Sequence, residues 1–150
     1  MHSQEIYGIE KSLVEFFVID EDKQHIFELE RRFNRENFKV TSASSLLQAY
    51  EKLKRMYIDL NKKLIFIVEY CFHCECNGVH FIEEIRNKMW RLNALFFILT
   101  NGNDPGIHEY LYDDWSKIRA SGKVNFHYVD DIFFKDIEFN EMLNKIGEYL

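Results

Sequence analysis

Four places in the 150-residue sequence carry side chains able to do chemistry together. Asp20-Glu21-Asp22 closes one apolar run, Glu69 a second and Thr100 a third, while Lys135 follows Asp130-Asp131-Ile132-Phe133-Phe134. Carboxylates brought to one spot repel unless a cation offsets them. A hard divalent ion such as Mg²⁺, held by a few carboxylates and waters, is the usual solution. Asp20 and Glu21 are the candidate ligands, and Lys135 would neutralise part of the remaining charge. Taken singly, each is an ordinary acidic or polar loop residue. The ordered set is what carries information.

A second cluster is Cys71-Phe72-His73-Cys74-Glu75-Cys76, which holds all three cysteines of the chain. Cys71, His73, Cys74 and Cys76 supply enough donors for zinc, but not the two separated pairs of a finger or ribbon. Zinc is therefore not assigned, and reduced thiols in a loop are expected. Glu69 and Glu75 would raise the thiol pKa values, which works against redox sensing.

The elements that must position these residues follow from hydrophobic period. Leu13 to Ile19, apolar except for Glu15, suits a buried strand. Ile26, Leu29 and Phe33 mark a helix from Lys23 to about Glu36, and Phe38 to Thr41 reads as a short strand. Ser44 and Ser45 offer caps for a helix with Leu46, Ala49, Tyr50, Leu53 and Tyr57 on its apolar face. Leu64 to Val68 is a central strand, and Gly78 opens a helix through Val79, Ile82, Ile85 and Met89. Leu95 to Leu99 is a fourth strand, followed by a loop and a helix carrying Ile107, Tyr110, Leu111, Trp115 and Ile118. Phe126 to Phe134 contains the fifth strand, and Met142, Leu143, Ile146 and Tyr149 line a last helix. Five alternations of strand and helix call for an α/β fold, a five-stranded mostly parallel sheet with helices on both faces. Ligands of such sheets bind at the carboxyl ends of the strands, where the four places above fall. Residues 1–12 read as an N-terminal tail and 13–150 as one domain.

The ordered set resembles the receiver domain of two-component response regulators over nearly the whole domain, which implies a flavodoxin-like three-layer sandwich. Phe17-Val18-Ile19-Asp20-Glu21-Asp22 is similar to the family's first strand and its Mg²⁺-binding acidic pair. Leu64 to Glu69 is similar to the strand bearing the phosphoacceptor aspartate. Thr100 falls at the family's Thr or Ser, and Asp131-Ile132-Phe133-Phe134-Lys135 at the last strand and its lysine. The resemblance implies a domain that a histidine kinase phosphorylates with Mg²⁺, one whose ligands would include Glu69 and the main-chain carbonyl of Cys71. The departures are as informative. Glu69 stands where the family has aspartate, and Tyr70 is the alternative alignment because the loop to Gly78 is longer. Asp136 replaces a proline, His73 lies near another, and Ile132 takes the aromatic switch position. A glutamate carries its carboxylate one methylene further out, and a misplacement of about an ångström costs on the order of a hundredfold in phosphoryl transfer. Any Mg²⁺ affinity is expected to be weak.

The expectation is a divergent, stand-alone receiver-like domain that signals by binding a protein, with no enzymatic activity. Its partner would be a histidine kinase or a downstream effector, and a homodimer is also open. An aromatic-rich surface of Tyr110, Tyr112, Trp115, Phe126 and Tyr128 is a candidate docking face. The alternatives are a working phosphorelay receiver and a flavodoxin-like small-molecule binder or enzyme. Against the latter, no glycine-rich phosphate loop follows the first strand, nor is there a Gly-x-Ser-x-Gly turn. A net charge of −6 argues against nucleic acid as a partner. The longest apolar runs fall far short of the roughly 20 residues of a membrane helix. With no signal peptide and an odd cysteine count, the cytoplasm is the expected location.

Overall fold

The computed structural model describes residues 5–72, 77–89, 91–103 and 129–150. Strands β3 (Val14–Ile19), β4 (Val40–Ala43), β5 (Lys63–Glu69), β6 (Ala94–Thr100) and β7 (Asp131–Phe134) form one parallel sheet in the order β4-β3-β5-β6-β7. Every neighbouring pair is parallel. The chain leaves β3 for one edge and then returns past it to β5, so the topological switch point lies between β3 and β5.

The pleat sends alternate residues of each central strand into two apolar clusters. Phe17, Ile19, Phe66, Val68, Phe96 and Ile98 face one way, under helices α2 (Leu46–Arg55) and α3 (Gly78–Lys88). Phe16, Val18, Ile65, Ile67, Phe97 and Leu99 face the other, under α1 (Lys23–Arg35) and α4 (Phe139–Gly147). The expected three-layer sandwich is therefore present, and the aromatic rings hold it: Phe66 and Phe96 stack at 4.6 Å, Phe16 and Phe33 at 4.3 Å. Each fully buried ring of this kind contributes roughly 1.5–3 kcal/mol. Glu15, the polar interruption in β3, is buried but answered by Lys39 Nζ at 3.3 Å.

Two expected boundaries shift, each for a local reason. Phe38 belongs to the end of α1 rather than to a strand. The N–H groups of Asn37 and Phe38 donate to the carbonyls of Asn34 and Phe33, and Asn37 takes φ 63°. That is a Schellman cap, completed by the edge-on contact of the Phe38 and Phe33 rings. The strand begins only at Val40. In α2, the Ser45 hydroxyl accepts the Gln48 N–H at 3.1 Å and Gln48 reaches back to the Ser44 N–H at 2.7 Å. The helix stops at Arg55, so Tyr57 leaves its apolar face and is 83% exposed.

Residues 5–12, inside the segment read as a tail, are structured. Strands β1 (Glu5–Ile6) and β2 (Ile9–Glu10) pair through a turn at Tyr7 and Gly8, both at positive φ, and a 3-10 turn (Lys11–Leu13) leads into β3. Ile9 is fully buried in the cluster under α1 and α4. A side chain at Gly147 would overlap the Tyr7 carbonyl oxygen, so the hairpin seats directly on the end of α4. The helix expected between Ile107 and Ile118, and Phe126 at the start of the fifth strand, lie outside the described residues.

Candidate functional site

Parallel register puts the carboxyl ends of the strands level. Ile19 pairs with Val68, Glu69 with Leu99, and Thr100 with Phe134. Main-chain hydrogen bonds carry the ladder past the strand ends: Asp20 N–H to the Ala43 carbonyl (3.1 Å), Tyr70 N–H to Leu99 (2.8 Å) and Lys135 N–H to Thr100 (2.9 Å). Asp20, Glu69 and Lys135 therefore meet over the switch point.

The meeting is close. Lys135 Nζ lies 2.6 Å from Glu69 Oε1 and 3.3 Å from Asp20 Oδ1. Glu69 Oε2 accepts the Glu21 N–H at 2.9 Å, and Asp20 Oδ1 accepts the Asp22 N–H at 2.9 Å. Asp20 Oδ2 is 2.6 Å from His25 Nδ1. His25 is a site residue that the sequence reading passed over. The Asp22 carboxylate caps α1 by accepting the N–H groups of Gln24 and His25, which seats His25 in the first turn, facing back to the strand end. An Asp-x-Asp-x-x-His spacing across a strand end and a helix cap is the signal that would have found it.

Burial raises the Asp20 carboxyl, but the hydrogen bonds from His25, with Glu69 and from Asp22, together with the Lys135 charge, outweigh it and hold the group below its ordinary value. For Glu69 the balance is opposite. Burial and the adjacent Asp20 carboxylate push it up to about 7, against Lys135 and the Glu21 N–H. Burial lowers Lys135, yet its two carboxylate partners leave it above its usual value.

The other expected residues take different parts. Glu21 enters through its main-chain N–H. Thr100 is fully buried; its hydroxyl oxygen accepts the Gly102 N–H at 3.1 Å and its carbonyl anchors Lys135, so it holds the loop and the lysine in place. Tyr70, the alternative to Glu69, is buried in the apolar cluster under α2 and α3. Ile132 packs against that same cluster. Gly78 is required by a close approach: a Cβ there would overlap the Glu69 carbonyl oxygen, and its N–H donates to the Tyr70 carbonyl at 3.0 Å. Cys71 is disulfide-bonded, which corrects the expectation that all three thiols are reduced. The zinc donors His73, Cys74 and Cys76 lie outside the described residues, as do Tyr110, Tyr112, Trp115, Phe126 and Tyr128.

A divalent ion would need carboxylate oxygens facing it. Here each oxygen of Asp20 and of Glu69 already receives a nitrogen donor, and the Lys135 ammonium stands between the two groups. Among the described residues no group of three or more His, Cys, Asp or Glu side chains is placed to hold a metal ion. As arranged, Lys135 supplies the counter-charge between the two carboxylates.

No family model matches the sequence, and no curated protein does. Solved structures match over nearly the whole chain. A CheY-like response regulator receiver domain protein from Methanospirillum hungatei JF-1 is 17% identical, covering 91% of this chain and 92% of its own, with a TM-score of 0.64. The response regulator TrrA from Thermotoga maritima, in complex with Mg²⁺ and BeF, is 18% identical over 91% and 98%, TM-score 0.62. An adenylate cyclase from Rhodopirellula baltica is 15% identical over 90% of each chain, TM-score 0.60. The chain thus has the fold of response regulator receiver domains. No helix among the described residues is long and apolar enough to cross a membrane.

Proposed function

We propose that this chain is a receiver-like signalling domain in which Glu69 stands at the phosphoacceptor position, and that it acts by binding a protein rather than by accepting a phosphoryl group. The observation that supports this is the engagement of both Glu69 oxygens, one by the Lys135 ammonium at 2.6 Å and the other by the Glu21 N–H at 2.9 Å. A nucleophile needs a lone pair aimed along the line of attack. Each Glu69 oxygen is turned toward a donor of the pocket, and the longer side chain displaces it by about one methylene. The same contacts set Glu69 against the Lys135 ammonium at the end of β5, a partial stand-in for a phosphorylated aspartate that carries at most one charge instead of nearly two. Such a domain has no chemistry to perform. A histidine kinase or a downstream effector would read its surface, as expected from the sequence.

The test is incubation with acetyl phosphate, and separately with beryllofluoride, each with Mg²⁺. Intact-mass spectrometry and fluorine NMR should find the protein unmodified. A stable phosphoryl adduct on Glu69 would establish the working phosphorelay reading in its place.

A further inference from the structure

The foot of the sheet, at the amino ends of its strands, carries a surface with no part in the strand-end pocket. Between α2 and β5 the chain runs through residues 56–62. A turn fixes this loop: the Lys62 N–H donates to the Asp59 carbonyl at 3.0 Å and the Asn61 N–H to Asp59 Oδ1 at 2.9 Å. Met56 packs against the core cluster under α2 and α3, and Ile58 lines a crevice with Glu15 and Leu64. Tyr57 and Leu60 turn the other way, 83% and 60% exposed. Leu13, half exposed, precedes Val14, which pairs with Lys63, so a third apolar side chain lies at the same foot.

Cations flank this apolar tip on both sides. Lys54 and Arg55 end α2, and Lys62 and Lys63 lead into β5. Lys54, Arg55 and Lys63 have no acidic partner among the described residues. Lys62 lies 3.8 Å from Glu15, a carboxylate that Lys39 already meets at 3.3 Å. Residues 51–63 hold five Lys and Arg against Glu51 and Asp59, a net +3 on a chain of net −6. The dipole of α2 accounts for cations in its last turn. It does not account for Lys62 and Lys63, nor for Tyr57 and Leu60 left uncovered between them and the helix.

We propose that this loop docks the domain on an anionic membrane surface. Peripheral binding adds buried apolar area to electrostatic attraction for anionic lipids, and the loop supplies both. The Leu60 side chain would enter the acyl boundary, and the Tyr57 ring, apolar with a polar tip, suits the headgroup level. Lys54, Arg55, Lys62 and Lys63 would meet the lipid phosphates and carboxylates. A nucleic acid would use the same cations but has no use for an exposed leucine. Asp20, Glu21 and Asp22 stand at the opposite end of the sheet, so repulsion from the bilayer would turn the molecule loop-first. None of this depends on whether Glu69 accepts phosphate.

The experiment floats the intact protein with vesicles of phosphatidylcholine and phosphatidylserine in a two-to-one ratio, and with vesicles of phosphatidylcholine alone. Protein should rise with the anionic vesicles only, and about 0.5 M salt should release it. The Lys54→Gln, Arg55→Gln, Lys63→Gln variant should partition roughly tenfold less or weaker still, and Tyr57→Ser, Leu60→Ser should lose most of the remaining binding at moderate salt. Circular dichroism should show both variants folded, since none of these side chains has an ion-pair partner among the described residues. A measurement on the unaltered protein stands beside them: a nitroxide-labelled lipid should broaden the amide signals of residues 54–63 and spare those of residues 20–22 and 135. The proposal is overturned if the protein does not float, if neutral vesicles carry it equally, or if the substitutions change nothing. It is equally overturned if the broadening falls elsewhere, or if a short RNA or polyglutamate binds the loop while vesicles do not. Acetyl phosphate reads the strand-end pocket, about 20 Å away along β5, and vesicles read the loop, so either idea can fail alone.

Discussion

At the scale of single residues, the pocket is a balance of two carboxylates against one ammonium and one imidazole. Glu69 sits on the protonated side of that balance more often than a free glutamate does, since it is pushed up to about 7. For an acid raised on folding, the native state binds more protons than the unfolded one between the two pKa values. Its contribution to stability is fully present below the ordinary glutamate value of about 4.5 and is lost as pH rises through about 7. Glu69→Gln removes that component. In denaturant titrations from pH 4 to 8, the stability difference between wild type and Glu69→Gln should shift in favour of the variant as pH rises; a difference independent of pH would refute the assignment. Lys135→Met should have the opposite sensitivity. It leaves Asp20 and Glu69 facing each other without their cation, at a cost of about 2–4 kcal/mol at pH 8. The cost should shrink toward pH 5, where Glu69 takes up a proton, and most of it should be absent when Lys135→Met is made in a Glu69→Gln background.

At the scale of elements, the site depends on how closely α3 approaches β5. Gly78 begins α3, and the space a Cβ would need is taken by the Glu69 carbonyl oxygen. Gly78→Ala therefore has to push the helix start away from the strand end that presents Glu69. The overlap is with main chain, which cannot swing aside as a flexible side chain would, so the expected loss is at the upper end of about 1–3 kcal/mol. Amide chemical shifts at residues 69–72 and 78–82 should move together, while those of α1 stay in place. The cap residues behave differently. Ser45 and Gln48 close α2 through contacts that were legible in the sequence, because capping needs only neighbours along the chain. Phe38 departs from its strand-like pattern for the mirror reason. Its strand-like side chain is claimed by a Schellman cap, whose hydrophobic contact to Phe33 competes with sheet pairing.

At the scale of the whole molecule, the sheet order, its two aromatic clusters and the N-terminal hairpin act as one packing unit. Ile9 is fully buried beneath α1 and α4 although it lies in a segment that reads as a tail. Ile9→Ala should cost about 2–4 kcal/mol in denaturant unfolding. Leu13→Ala, nearby but half exposed, should stay within about 0.5 kcal/mol. Equal effects at both positions would mean that the hairpin is not part of the cooperative fold. The sequence by itself determined the alternation of strands and helices and the polar residues at their ends, because period and local capping are properties of neighbouring residues. From that alternation came the parallel sheet and the grouping of Asp20, Glu69, Thr100 and Lys135 at one edge. Only the tertiary structure decided how that group is wired. Lys135 spans Asp20 and Glu69, His25 closes on the remaining Asp20 oxygen, and Thr100 serves the main chain, because these partners come from strands and turns up to 115 residues apart and their pairing is set by register and side-chain reach. The apolar tip at residues 57–60 belongs to the same class, since only the packing of Met56 on the core decides that Tyr57 and Leu60 face outward.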